Sequence, residues 1–299
     1  MGYDFATATK EQMEIMAEYY AKNGIMAVLP TLTALTEEGY LRQFESLVPL
    51  IEDENCVFKG IHLEGPFLAH GKKGAINGDL LCGIDIPLMH RLWNASHGTI
   101  KIVTAAPELT NFDKLCEFAH GKFILSAGHT ACDTQTALDA ISMGVSHVTH
   151  FFNAMNPLHH RQPSLIGAAL AEGVTKEIIC DGVHIDKTLV RALFRGFADE
   201  MVMISDSMSA TGLDDGEYVL SGQPVFVKNG KATLADGTIA GSCANLFDDV
   251  KTMLKWGIDM DKIIHSASIL PYKILGAENS HEITLDDNMN IISVDKKLS

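Results

Sequence analysis

Basic residues are scarce: 23 Lys and Arg stand against 38 Asp and Glu, which gives the 299-residue chain a formal charge of −15 at neutral pH. Nucleic acids and anionic membranes need a basic footprint, so this balance argues against both as partners. An anionic substrate would need positive charge concentrated inside its own site. Long apolar runs are missing too. No stretch approaches the roughly 20 residues that span a bilayer, and the first ten residues lack the basic and apolar regions of a secretory signal. The expectation is a soluble, cytoplasmic protein. The six cysteines (Cys56, Cys82, Cys116, Cys132, Cys180 and Cys243) are widely spaced with no Cys-x-x-Cys pair, and suggest neither a disulfide framework nor a thiolate metal site.

What the chain does have is apolar content, 46% of residues, enough for a substantial core. Apolar runs alternate with stretches of helical period. Thr9 with Gln12 opens a helix through Met13, Met16, Tyr19 and Tyr20 that Gly24 ends. Helices are also read over 36–51, 87–96, 111–120, from the Asp133 cap to Gly144, and from the Asp186 cap through Phe197. Between them fall seven strands, at 25–31, 57–64, 100–105, 122–128, 145–150, 177–180 and 201–206. Strands apolar on both faces, alternating with amphipathic helices, predict a parallel sheet covered by helices. A closed (β/α)8 barrel needs eight strands; a doubly wound open sheet is the alternative. Around Asn229-Gly230 the runs 218–227 and 231–239 read as a β-hairpin inserted after the last parallel strand. Helices return over 245–256 and 259–270, and 282–294 is strand-like, with a turn at 286–288 and no sheet for it to join. The domain expectation is a barrel over 1–280, carrying the hairpin insertion at about 216–240, and a small β remnant over 281–299.

Several strands end in groups that bind metals or move protons. Glu64 closes one, His129 and His150 follow two others, and Asp206 closes the last. In a (β/α) barrel, functional residues sit at these C-terminal strand ends, so the four are expected to converge. One Glu and two His suit a zinc ion with a position left for water. Asp206 would move protons beside it, its structural alternatives being a cap or a further ligand. His184 lies just past a strand end and could polarise a carbonyl oxygen, while Asp181 and Asp186 read as braces and caps of its loop. His62 and His147 read as structural. Asn153 and nearby main-chain N–H groups could meet the far end of a small substrate, and Arg161 could pair with a phosphate or carboxylate or lie on the surface. Lys72 and Lys73 read as a surface pair, and Gly237 to Ser242 as a lid or an ordinary turn.

Five motifs carry a resemblance. HLEGPF (62–67), SAGHT (126–130), THFFNAMNPL (149–158), DGVHID (181–186) and SDSMSATG (205–212), in this order, resemble the N-acetylglucosamine-6-phosphate deacetylases of the amidohydrolase superfamily. The resemblance implies a metal-dependent hydrolase barrel with zinc at Glu64, His129 and His150. It implies Asp206 as general base and acid and His184 on the acetyl carbonyl. For the phosphorylated amino sugar it implies Asn153 and the backbone of Ala154 at the phosphate, with Arg161 reaching it from the other subunit of a homodimer. The GTIAGS stretch, with Ile239, fits the family's lid over the substrate. Two departures are visible. Ile76 stands where the family has a histidine, followed by Asn77-Gly78 in place of Asn-Pro, which weakens one sugar contact. The family's upstream residues, which supply part of a small β-sandwich and the first barrel strand, have no counterpart, so the expected barrel lacks that strand. The alternatives are another amidohydrolase acting on an N-acyl compound or cyclic amide, and a non-catalytic remnant that binds metal or sugar phosphate.

Overall fold

A computed structural model describes residues 1–279 and 281–296. Residues 297–299 of the expected C-terminal β remnant lie outside the described residues. The helix periods read from the sequence form where the caps place them. Thr9 and Gln12 cap α1 (Lys10–Lys22) reciprocally, and Thr36, Asp133 and Asp186 accept main-chain N–H groups at the starts of α2 (Glu37–Glu52), α5 (Thr134–Ser142) and α7 (Lys187–Gly196). Each cap satisfies a donor that the first helical turn leaves unpaired. Between α2 and α5 lie α3 (Ile86–Ala95) and α4 (Phe112–Ala119), while α6 (Ser164–Glu172) has no counterpart among the expected helices. Its run of Leu, Ile, Ala and Gly offers no polar face, so it carries no helical periodicity to read.

Seven parallel strands form one sheet in sequential order: β1 (Thr31–Thr33), β2 (Ile61–Glu64), β3 (Ile100–Ala105), β4 (Ile124–Ala127), β5 (His147–Val148), β6 (Thr175–Ile179) and β7 (Met201–Ile204). The strand number matches the sequence reading, with one shift. The apolar run 25–31 makes only an isolated bridge from Val28 to Phe58, and the first strand starts after Pro30. Proline lacks the N–H that a ladder needs, so regular pairing begins beyond it. Leu63 pairs with Leu32 and Val103, and Glu64 with Thr33 and Thr104, which puts Glu64 at the rim of the curled sheet. β1 and β7 are the two ends of this sheet among the described residues.

The expected hairpin is part of a larger insertion, a four-stranded antiparallel sheet of β8 (Gly216–Leu220), β9 (Gln223–Lys228), β10 (Lys231–Thr233) and β11 (Ile239–Ser242). The run 218–227 is two strands, because Ser221-Gly222 turns at positive φ just as Asn229-Gly230 does. After α8 (Leu246–Lys255), the expected helix 259–270 runs as α9 (Met260–Ile264), a π-helical turn (His265–Ile269) and α10 (Leu270–Leu275). The tail forms a two-stranded ribbon, β12 (His281–Leu285) and β13 (Ile291–Lys296), turning at Asp286. No helix among the described residues is long and apolar enough to cross a membrane.

Candidate active site

The ends of β2, β4, β5 and β7 surround one cavity of about 910 Å³, lined by Glu64, His129, His150, His184 and Asp206 among others. His129 and His150 each sit two residues past a strand, and Asp206 two past β7. All three take positive φ, at 47°, 28° and 49°. Non-glycine residues seldom hold this backbone, which costs roughly 1–3 kcal/mol and recurs where a side chain must be aimed at a functional site. Here it turns each chain sharply inward at the strand end.

Glu64 Oε1 lies 2.8 Å from His129 Nε2 and 3.0 Å from His150 Nε2, and the two imidazole nitrogens are 2.9 Å apart. All three residues are buried. No hydrogen-bond pattern satisfies this triangle. A carboxylate only accepts, and His129 already donates Nδ1–H to Lys72 O at 2.7 Å, which leaves its Nε2 lone pair facing inward. A cation at the centre would satisfy all three atoms, and the Lys72 carbonyl is the outer partner that fixes a ligand's tautomer. The charge distribution agrees. Burial alone would lower the His150 pKa, yet the Glu64 carboxylate, helped by Asp206 and Glu177, raises it to about 9. Burial alone would raise Glu64, yet its contacts with His129 and His150 hold it well below the usual carboxylate range. The pocket favours positive charge where the three donors meet, so the residues fit a divalent metal, and they are the one such group among the described residues.

Asp206 faces the same cavity from β7. Its burial and the Glu64 charge push its pKa up, against the pull of His150 and His184. Its main-chain carbonyl accepts Ser242 N–H at 2.8 Å, and a Cβ on the intervening Gly241, at φ 75°, would stand 3.0 Å from that oxygen. Glycine is therefore required for the insertion to dock here. His184 is oriented by Asp181, whose Oδ2 accepts Nδ1–H at 2.8 Å and the Ser242 hydroxyl at 2.9 Å, while Oδ1 accepts the Val183 and His184 N–H groups. These contacts outweigh the effect of burial and hold Asp181 at a pKa of about 2. Asp181 thus braces the loop as read from the sequence, and it also sets the ring whose other nitrogen remains for the cavity.

Asn153 and Ala154 line the cavity, with Asn153 Nδ2 donating to His150 O at 3.2 Å and Ala154 O accepting Thr130 N–H. Ile239, at the start of β11, lines it as well. Arg161 is exposed, contacts His160 Nε2 at 2.7 Å and is not among the residues lining the cavity of its own chain. Lys72 is more than a surface residue: its Nζ donates to Met155 O and its carbonyl holds His129. Ile76 is 5% exposed and packs in a small apolar cluster with Ala34, Leu68 and Leu81 at the cavity wall.

Sequence reading missed a buried polar layer beneath the metal group. His62 Nε2 contacts Thr104 Oγ1 at 2.7 Å, Thr104 contacts Thr149, and Thr149 contacts Ser126, both at 2.6 Å. Gly128 allows this crowding, since a Cβ there would stand 2.7 Å from Thr104 Cγ2. His62 and His147 face this layer within the barrel. Glu177 joins it, paired with His147. One signal was available: the charged pair Lys176-Glu177 interrupts an apolar strand, and neither charge reaches solvent.

No family model matches the chain. The N-acetylglucosamine-6-phosphate deacetylase of Bacillus subtilis is 33% identical over 310 residues, covering 98% of this chain and 77% of the relative. The deacetylase of the same name from Mycobacterium smegmatis, solved in complex with N-acetyl-D-glucosamine-6-phosphate, superposes with a TM-score of 0.93 at 27% identity, covering 99% of this chain and 81% of the other. The Thermotoga maritima enzyme superposes with a TM-score of 0.90 at 28% identity, covering 99% and 83%. With the Glu-His-His group, the inward-turned acid and the oriented histidine on one cavity, this similarity over nearly the whole chain makes it a member of the N-acetylglucosamine-6-phosphate deacetylase family.

Proposed function

We propose that this chain hydrolyses the acetamide of N-acetylglucosamine 6-phosphate, releasing acetate and glucosamine 6-phosphate. The observation that carries the reading is the convergence of Glu64, His129 and His150 on one point, with Asp206 and His184 on the same cavity. Glu64, His129 and His150 would hold a divalent ion, for which zinc suits two imidazoles and a carboxylate, and the bound ion would supply the Lewis acidity that makes water nucleophilic near neutral pH. Asp206 takes the proton from the attacking water and returns it to the departing amine nitrogen, a task that suits a carboxylate of raised pKa. His184, its Nδ1–H held by Asp181, directs Nε2 at the acetyl oxygen as negative charge grows there. Asn153 and the Ala154 backbone receive the phosphate, Ile239 covers the sugar, and Arg161, turned away from its own cavity, reaches the phosphate of a partner copy in a homodimer. In domain terms, the catalytic barrel read over 1–280 carries a small β appendage, described over 281–296, with the protein acting in the cytoplasm.

The test is release of acetate and free amine from the phosphorylated and unphosphorylated N-acetyl sugars by zinc-loaded protein. Turnover strongly favouring the phosphorylated sugar supports the reading. Equal turnover of both points to a different N-acyl substrate, and none of either to a binding protein.

A further inference from the structure

Glu177 lies on β6 and is buried at 5% exposure in the polar layer beneath the metal group. Its Oε2 accepts the His150 N–H at 3.1 Å, and its main-chain carbonyl accepts the next N–H, that of Phe151, at 2.7 Å. Two successive peptide groups are therefore pinned by one residue, at the point where His150 adopts its positive φ of 28°. A left-handed backbone at a non-glycine persists only where its surroundings over-determine it. Glu177 is in turn fixed. Its Oε1 lies 3.1 Å from His147 Nε2, and His147 Nδ1 lies 2.7 Å from Thr175 Oγ1. The Thr175 hydroxyl also lies 3.0 Å from Ser146 O, which ties the His147 ring to the start of its own strand. The clamp is fully hydrogen-bonded from Ser146 through Glu177 to His150.

We propose that Glu177, locked by His147 and Thr175, is a positioning residue that holds the backbone turn of His150 so that its Nε2 meets Glu64 and His129 at the metal. The inference rests on the reading of Glu64, His129 and His150 as metal ligands. It makes a peptide N–H, rather than the second ring nitrogen, the outer-shell handle on this ligand. His150 Nδ1 has no hydrogen-bond partner, so its ring is not oriented in the way that Lys72 orients His129. The backbone turn is then what remains to aim it.

The experiment measures zinc dissociation constants by competition with a chelator for the wild-type chain and for Glu177→Ala, Glu177→Asp and Glu177→Gln, with metal-free melting curves alongside. The alanine removes the acceptor and the aspartate retracts it, so both are expected to bind zinc roughly ten- to a hundredfold more weakly, the effect typical of losing an outer-shell partner. The glutamine keeps an oxygen for the His150 N–H and stays within a few-fold of wild type. With zinc saturating, all folded variants keep the wild-type KM, since no substrate contact is touched. If the alanine variant fails to fold, the aspartate and glutamine pair carries the test. Wild-type zinc affinity in the aspartate variant, or a glutamine variant as weak as the aspartate, overturns the positioning role while leaving the ligand assignment standing. A wild-type chain that binds no zinc overturns the ligand assignment itself, and the proposal with it.

Discussion

Asp181→Asn isolates the part of the chemistry that runs through His184. Asp181 accepts four hydrogen bonds, two from main-chain N–H groups at Oδ1 and two at Oδ2 from His184 Nδ1 and the Ser242 hydroxyl. Asparagine keeps the shape and the Oδ1 acceptor but turns an NH2 group toward the His184 ring, which must then present a lone pair instead of Nδ1–H. On the proposed role of His184, a ring no longer held by the Asp181 carboxylate aims less well at the acetyl oxygen, a loss of about 1–1.5 kcal/mol or roughly tenfold in rate. Complete misalignment would cost what loss of an oxyanion donor costs, about 10²–10³-fold. The expected result is a fall in kcat between these bounds, with zinc content and KM little changed. Added to His184→Ala, the same substitution should do almost nothing further, because its effect passes through the ring that is already gone. The stability effect has a definite sign. The native pKa of about 2 lies below the ordinary 3.8, so the ionised carboxylate stabilises the fold by roughly 2 kcal/mol above pH 4, and this is lost as pH falls toward 2. Wild type should therefore lose more stability than the variant over that interval in acid melting curves. A kcat within twofold of wild type, or full additivity with His184→Ala, would refute the reasoning.

Asp206→Asn should retain zinc and bind the phosphorylated sugar while kcat falls at least about a hundredfold, measured by stopped assay and direct binding; near-normal turnover removes the acid from the proton path. Arg161→Ala should raise KM for the phosphorylated sugar about ten- to a hundredfold and leave an unphosphorylated analogue unaffected, as a charge-assisted contact predicts; equal effects on both place the arginine elsewhere. Ile76→His, which comparison with the family's usual histidine would favour, should instead lower the melting temperature, because an imidazole placed among Ala34, Leu68 and Leu81 costs about 1–3 kcal/mol without a hydrogen-bond partner. An unchanged melt would show that this wall repacks.

Strand ends were legible because each apolar run stops at a chemically distinct residue, and Glu64, His129, His150 and Asp206 do meet at one cavity. Caps such as Thr9, Asp133 and Asp186 were legible because a short polar side chain before a periodic run has one main use. The polar layer was not. Thr104, Ser126 and Thr149 look like ordinary strand residues, and only the register that pairs Thr104 with Ser126 and Ser126 with His147 stacks them. Helix α6 escaped because a segment apolar on every side has no period, and the insertion was read as one hairpin because Ser221-Gly222 is a weaker turn signal than Asn229-Gly230. The place of Arg161 also needed coordinates, since a loop arginine seven residues past Ala154 reads the same whether it faces its own site or away.

On the proposed function, the Glu64, His129 and His150 group drives amide hydrolysis through one bound metal. Zinc titrated into metal-free protein tests it directly, with bound metal and acetate release from N-acetylglucosamine 6-phosphate followed together. Activity should rise in proportion to bound zinc and saturate at about one equivalent per chain, as one donor group requires, and His129→Ala and His150→Ala should lose both. Undiminished acetate release from rigorously metal-free protein, or none from protein carrying a full equivalent, would contradict it.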